Sequence, residues 1–237
     1  MNRNGMWRAP VAVGVTVALV AGCSGTDRKV SGTASAPVDV ATPATSTSTA
    51  AQLADPATLS SRLGSPAEVA GILGVDLTPG PIFKKPFTNL STQPITCLEA
   101  VMPGQESSVY YMPSGFVAQF LNGAAPHVKV LQVVASFASV EEAERSDTIA
   151  RSSWPSCQDT VVTLTAGNDV AVQKLGRIES TNSIMSIPVT EADGSSAVSC
   201  QHSFATKRNM VVDVRVCAPN AGNGGRELVT KILATLN

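Results

Sequence analysis

Read from the N-terminus, this 237-residue chain changes rhythm several times. An apolar run, Val11–Val20, follows a basic start carrying Arg3 and Arg8. Small polar residues then dominate from Ser24 to Asp55, with no periodicity of either kind. From Pro56 onward the pattern becomes that of a folded domain. Ser65-Pro66-Ala67-Glu68 is a capping box with Pro at the first helical position, and Gly74 is a natural stop; the spacing predicts a short helix presenting Val69, Ile72 and Leu73. Residues 79–96, rich in Pro, Thr and Asn, predict extended or looped chain. Val128–Phe137 is β-branched or apolar almost throughout and predicts a central strand. Ser139-Val140-Glu141-Glu142 opens a second helix that Pro155 must end.

Strands separated by turn residues follow. Thr160–Ala166 and Val170–Glu179 flank Gly167-Asn168-Asp169, and Asn182–Thr190 and Ala197–Thr206 flank Asp193-Gly194. Met210–Cys217 comes directly after Lys207-Arg208-Asn209. Short connections between sequential strands predict an antiparallel meander. The stripe Leu228, Val229, Ile232, Leu233 and Leu236 predicts a closing helix over Arg226–Leu236. Grouped strands with helices before and after make an α+β domain, a meander sheet packed with helices.

A two-residue turn at Arg208-Asn209 fixes a register: Lys207 pairs with Met210 and, counting outward, Cys200 falls opposite Cys217. Directly opposed positions allow a disulfide, which leaves Cys97 to bond Cys157. A four-cysteine zinc site would need a short CxxC spacing that is absent. The same register sends Met210, Val212, Val214 and Val216 toward the core. It puts His202, Phe204, Val211, Asp213 and Arg215 on the other face, His202 opposite Arg215. That face is expected to be solvated, or else to wall a groove.

The N-terminal run reads as an address. Ten apolar residues span about 15 Å as a helix, half of a ~30 Å bilayer core, too short for a transmembrane anchor. A basic flank and a short apolar region make a secretory signal peptide, residues 1–22. It ends at Val20-Ala21-Gly22-Cys23, which resembles the bacterial lipobox; Cys23 would be acylated and become the first residue of the mature chain. Residues 23–55 then read as a disordered tether, plain or O-glycosylated, and residues 56–237 as one domain. The remaining four cysteines, even in number in an exported chain, suit two disulfides.

Composition narrows the function. With 17 basic and 18 acidic residues the chain lacks the excess positive charge of a nucleic-acid binder. Two histidines, His127 and His202, leave little for metal or acid–base chemistry. No nucleophile elbow, zinc-protease motif or Walker loop occurs. Asn220–Gly225 precedes a helix but lacks dinucleotide-binding spacing. Tyr110-Tyr111, the only tyrosines, would line a pocket or pack at a sheet edge.

Trp154-Pro-Ser-Cys157, Cys200-Gln-His-Ser-Phe204 and Lys207-Arg-Asn-Met-Val-Val-Asp-Val-Arg-Val-Cys217 together resemble the extracellular sensor domain of PknH-like mycobacterial receptor kinases. Ser136–Ser139 and Leu228-Val229 add to the likeness, which covers Cys97 to the C-terminus and, more weakly, Pro56–Thr96. The domain also occurs free-standing in lipoproteins of the LppH and LpqQ kind. The resemblance implies an antiparallel sheet with packed helices, disulfides joining the first cysteine to the second and the third to the fourth, and a central cleft for a small ligand. Arg226-Glu227 departs from the Gln-Ala common at the start of the last helix, which matters if that helix borders the cleft.

The reading is therefore a membrane-held lipoprotein whose domain binds a small ligand or partner outside the cytoplasm, as a monomer, without catalysis or cofactor. Its ligand-site candidates are His202, Asp213, Arg215 and Tyr111. A lipid carrier or envelope-assembly lipoprotein is the alternative, and a hydrolase a more distant one.

Overall fold

A computed structural model describes residues 53–124, 128–192 and 198–236. The signal peptide, Cys23, the tether up to residue 52, His127 and the Asp193-Gly194 turn lie outside the described residues. The described residues fall in one compact unit.

Local sequence explains the helices. Asp55 caps a 3-10 helix, Pro56–Arg62, by accepting from the Ala57 N–H at 2.8 Å. Thus Asp55, at the end of the segment read as tether, already belongs to the fold. Helix α1, Pro66–Leu73, has both halves of its capping box, and Gly74 ends it at φ 68°, a left-handed conformation that suits glycine. Helix α2, Leu98–Val101, is a single turn, and α3, Val140–Ser153, is capped by Ser139. A 3-10 turn, Trp154–Cys157, follows α3 where Pro155 stops it. Helix α4 spans Gly224–Ala234.

Among the described residues, ten strands form one sheet: β1 Leu77–Phe83, β2 Leu90–Gln93, β3 Gly115–Gly123, β4 Lys129–Ser136, β5 Val161–Ala166, β6 Asp169–Leu175, β7 Glu179–Thr181, β8 Ile184–Glu191, β9 Ser199–Lys207 and β10 Met210–Ala218. Their order is β1-β3-β4-β10-β9-β8-β6-β5-β2, with β7 paired to β8 beside that path. Every pairing between named strands is antiparallel. The predicted meander is the run from β5 to β10. Strand β4 is central, held between β3 and β10, as its apolar sequence predicts. Strand β1, with Pro79 and Pro81, sits at the edge, where a missing N–H is tolerated.

Hairpin β9–β10 has the predicted register, with Cys200 opposite Cys217 and His202 opposite Arg215. Both disulfides are present, Cys97–Cys157 and Cys200–Cys217. The faces divide as the register requires, but neither is solvated. Val212, Val214 and Val216 pack against α1 and α4 in one core, with Leu228, Val229 and Ile232. Val211 and Phe204 face a second core with Trp154, Phe116 and the Cys97–Cys157 bridge. The expectation of a solvated His202–Arg215 face fails because residues 98–110 and α3 cover it.

Candidate functional site

On this second face the polar side chains of the hairpin are desolvated. His202 is 0% exposed, and its two ring nitrogens approach two acceptors: Nδ1 lies 2.9 Å from the Ala100 carbonyl and Nε2 lies 2.5 Å from Asp213 Oδ1. Nδ1 donates to the Ala100 carbonyl, and one proton is shared between Nε2 and the carboxylate group of Asp213. The other carboxylate oxygen, Asp213 Oδ2, accepts from the Tyr110 hydroxyl at 2.6 Å and the Gly104 N–H at 3.2 Å. Burial, reinforced by the Asp213 charge, pushes the Tyr110 phenol well above its ordinary value. The Trp154 ring packs against His202 with centroids 4.5 Å apart and planes tilted by 46°.

This group is a clamp. Ala100, Gly104 and Tyr110 all belong to the segment after α2 begins, so the polar contacts fasten residues 98–110 onto the sheet. The Cys97–Cys157 bridge fixes the start of that segment beneath α3. No serine, threonine or thiol is hydrogen-bonded to His202, so among the described residues the pair has no nucleophile to activate. Nor do the described residues contain a cluster of three or more His, Cys, Asp or Glu able to hold a metal.

Beyond the clamp, toward the Cys200–Cys217 end of the hairpin, the same face opens into a cleft of about 360 Å³. Its walls include Phe120 from β3, Leu131 from β4 and Leu164 from β5, with the Cys200–Cys217 bridge beside them. Lys129, Gln173, Glu191 and Arg215 supply the polar lining. Arg215 is 6% exposed, and burial pulls its guanidinium down to about 10, so it remains charged at neutral pH. Its Nη1 donates to the Val101 carbonyl at 2.8 Å and to Met102 Sδ at 2.7 Å. Its Nη2 donates to Gln173 Oε1 at 3.1 Å and to Cys200 Sγ at 3.5 Å.

Of the four candidates from sequence, Arg215 alone lines this cleft. His202 and Asp213 are joined to each other in the clamp behind it. Tyr111 is 69% exposed and away from the cleft, whereas its neighbour Tyr110, 4% exposed, turns inward to Asp213. The departure at Arg226-Glu227 also falls elsewhere. Helix α4 packs on the opposite face, where Arg226 pairs with Glu179 at 2.5 Å. Gly225 is required there, since a Cβ would meet the Gln201 carbonyl at 2.9 Å. Sequence reasoning missed Gln173, Leu164, Lys129 and Phe120. Alternation along β5 and β6 carries part of that signal, but the curl that brings β3 and β5 to one cleft is a long-range property.

A family model described as the PknH-like extracellular domain matches residues 54–235. The chain belongs to the PknH-like extracellular domain family. A search of solved structures matches the extracellular domain of PknH from Mycobacterium tuberculosis. That match has a TM-score of 0.74 and 20% identity, and covers 79% of this chain and 99% of that one. At that identity the match shows a shared fold. No curated protein matches the chain. The family match begins at Ala54, the residue whose N–H donates to Asn209 Oδ1 at the β9–β10 turn. The PknH-like domain here therefore includes the 3-10 helix before α1.

Proposed function

We propose that this PknH-like domain is a binding module working outside the cytoplasm, taking a small molecule in the cleft beside Arg215, and that acylated Cys23 holds the chain to a membrane. The cleft carries the reading. About 360 Å³ is at the lower end of the ~300–1,000 Å³ usual for small-molecule sites, and its lining mixes apolar walls with a few polar groups. That size suits a small metabolite or a short chain better than a two-chain lipid, which favours a sensor-like module over a lipid carrier. The buried His202–Asp213 pair, committed to holding residues 98–110 and without a nucleophile bonded to it among the described residues, supports a role without catalysis.

Two experiments test the reading. Protein purified from native membranes should release a small ligand for mass spectrometry, and Leu164→Trp, which fills the cleft, should abolish that recovery. A stoichiometric long-chain lipid in the extract would favour the carrier reading instead. Cys23→Ser should release the protein from membranes; retention at the wild-type level would sink the anchoring.

A further inference from the structure

The cleft's cation is held by an unusual set of acceptors. Each terminal nitrogen of Arg215 has one strong oxygen partner and one sulfur partner: Val101 O and Met102 Sδ on Nη1, Gln173 Oε1 and Cys200 Sγ on Nη2. Thioether and disulfide sulfurs are weak acceptors for a charged donor. Its Nε is buried with no partner among the described residues. No described carboxylate forms an ion pair with this guanidinium; Glu191, on the cleft wall, attracts it only at longer range. Such a desolvated charge is costly unless something compensates it.

The geometry also says where compensation would come from. Met102 and Cys200 line the cleft, as Gln173 and Arg215 do, so the weakly bonded N–H groups of the guanidinium lie at its wall. An oxyanion with two oxygens would replace both sulfurs, one N–H from each terminal nitrogen, in the forked arrangement that arginine favours. The bonds to Val101 and Gln173 would stay in place and keep the fork oriented. Lys129 adds a second positive charge on the lining against the single negative charge of Glu191.

We infer that the cleft takes the carboxylate or phosphate head of a small amphiphile, bound two-pronged by Arg215, with its apolar part against Phe120, Leu131 and Leu164. This rests on the cleft being a ligand site. The test uses the full chain, labelled with nitrogen-15, titrated with octanoate, octyl phosphate, octanol and octyltrimethylammonium. The first two distinguish a carboxylate from a phosphate source. Octanoate or octyl phosphate should saturably shift the Arg215 Nε–H signal and the Leu164 and Gln173 amides. Octanol should bind at least about tenfold more weakly, the scale of a lost charge-assisted hydrogen bond. Arg215→Met should erase that preference and leave octanol binding as it was. Equal affinity for octanol and octanoate, or tighter binding of the cation, overturns the anion assignment and leaves the cleft reading standing. Silence from all four probes overturns both. If Arg215→Met does not fold, the wild-type Arg215 signal decides alone: it must move with an anion and stay still with octanol.

Discussion

His202 and Asp213 meet across β9 and β10 as diagonal partners, not opposite ones, since the register sets His202 against Arg215 and Asp213 against Phe204. Their contact is fully covered, and it holds residues 98–110 in place. Asp213→Ala would leave His202 Nε2, the Tyr110 hydroxyl and the Gly104 N–H without their shared partner. Each buried polar group left without its hydrogen bond costs about 1–3 kcal/mol. Urea denaturation should show an unfolding free energy lower by about 2 kcal/mol or more; a loss below about 1 kcal/mol would rule out the clamp.

Arg215 should behave in the opposite way. Its charge is desolvated and has no ion-pair partner among the described residues, so the fold bears its cost without a ligand. Arg215→Met keeps much of the stem volume and removes that cost, offset by the loss of the bonds to Val101 and Gln173. The apparent melting temperature without ligand should be unchanged or higher. A clear fall would mark Arg215 as a structural residue.

The disulfides should contribute unequally. Cys97–Cys157 spans 60 residues and Cys200–Cys217 spans 17. Loop-closure entropy gives about 4 kcal/mol for the first and about 3 kcal/mol for the second. Paired Cys→Ser variants, compared by denaturant midpoint, should rank in that order. Hydrogen exchange at the Gly104 amide should accelerate in the Cys97/Cys157 variant, because that bridge fixes the clamped segment.

Alkaline pH should expose Tyr110. Burial first, then the Asp213 charge, holds its folded phenol above the ordinary value of 10. Its contribution is therefore fully present below pH 10 and is lost as pH rises through the folded value. Stability measured from pH 9 to 12 should fall more steeply in the wild type than in Tyr110→Phe. Parallel curves would refute the assignment, since exposed Tyr111 is common to both proteins.

Much of the framework is legible in short-range sequence. Ser65 and Ser139 mark helix starts, and the Arg208-Asn209 turn alone sets the β9–β10 register, and with it the Cys200–Cys217 pair and the face of every side chain on the hairpin. What the register does not carry is what covers each face. His202 and Asp213 are buried by residues about a hundred positions earlier, in a segment with little regular structure that is held by polar contacts. For the same reason Tyr110, not Tyr111, faces inward, and β1, interrupted by two prolines, gives no strand pattern. The diagonal neighbour rule would have suggested the His202–Asp213 pair. Nothing local would have made Leu164 and Phe120 neighbours of Arg215.

The hairpin also gives the domain two poles. Asn209, at its turn, accepts from the Ala54 N–H and donates to the Phe137 carbonyl, which ties the beginning of the domain to that end. Cys200, Cys217 and the cleft lie at the other. At about 3.3 Å per residue, the strand from Met210 to Cys217 separates them by roughly 23 Å. The first described turn of the domain is thus pinned at one pole, through Ala54, while the cleft opens at the far one, with the length of the hairpin between them.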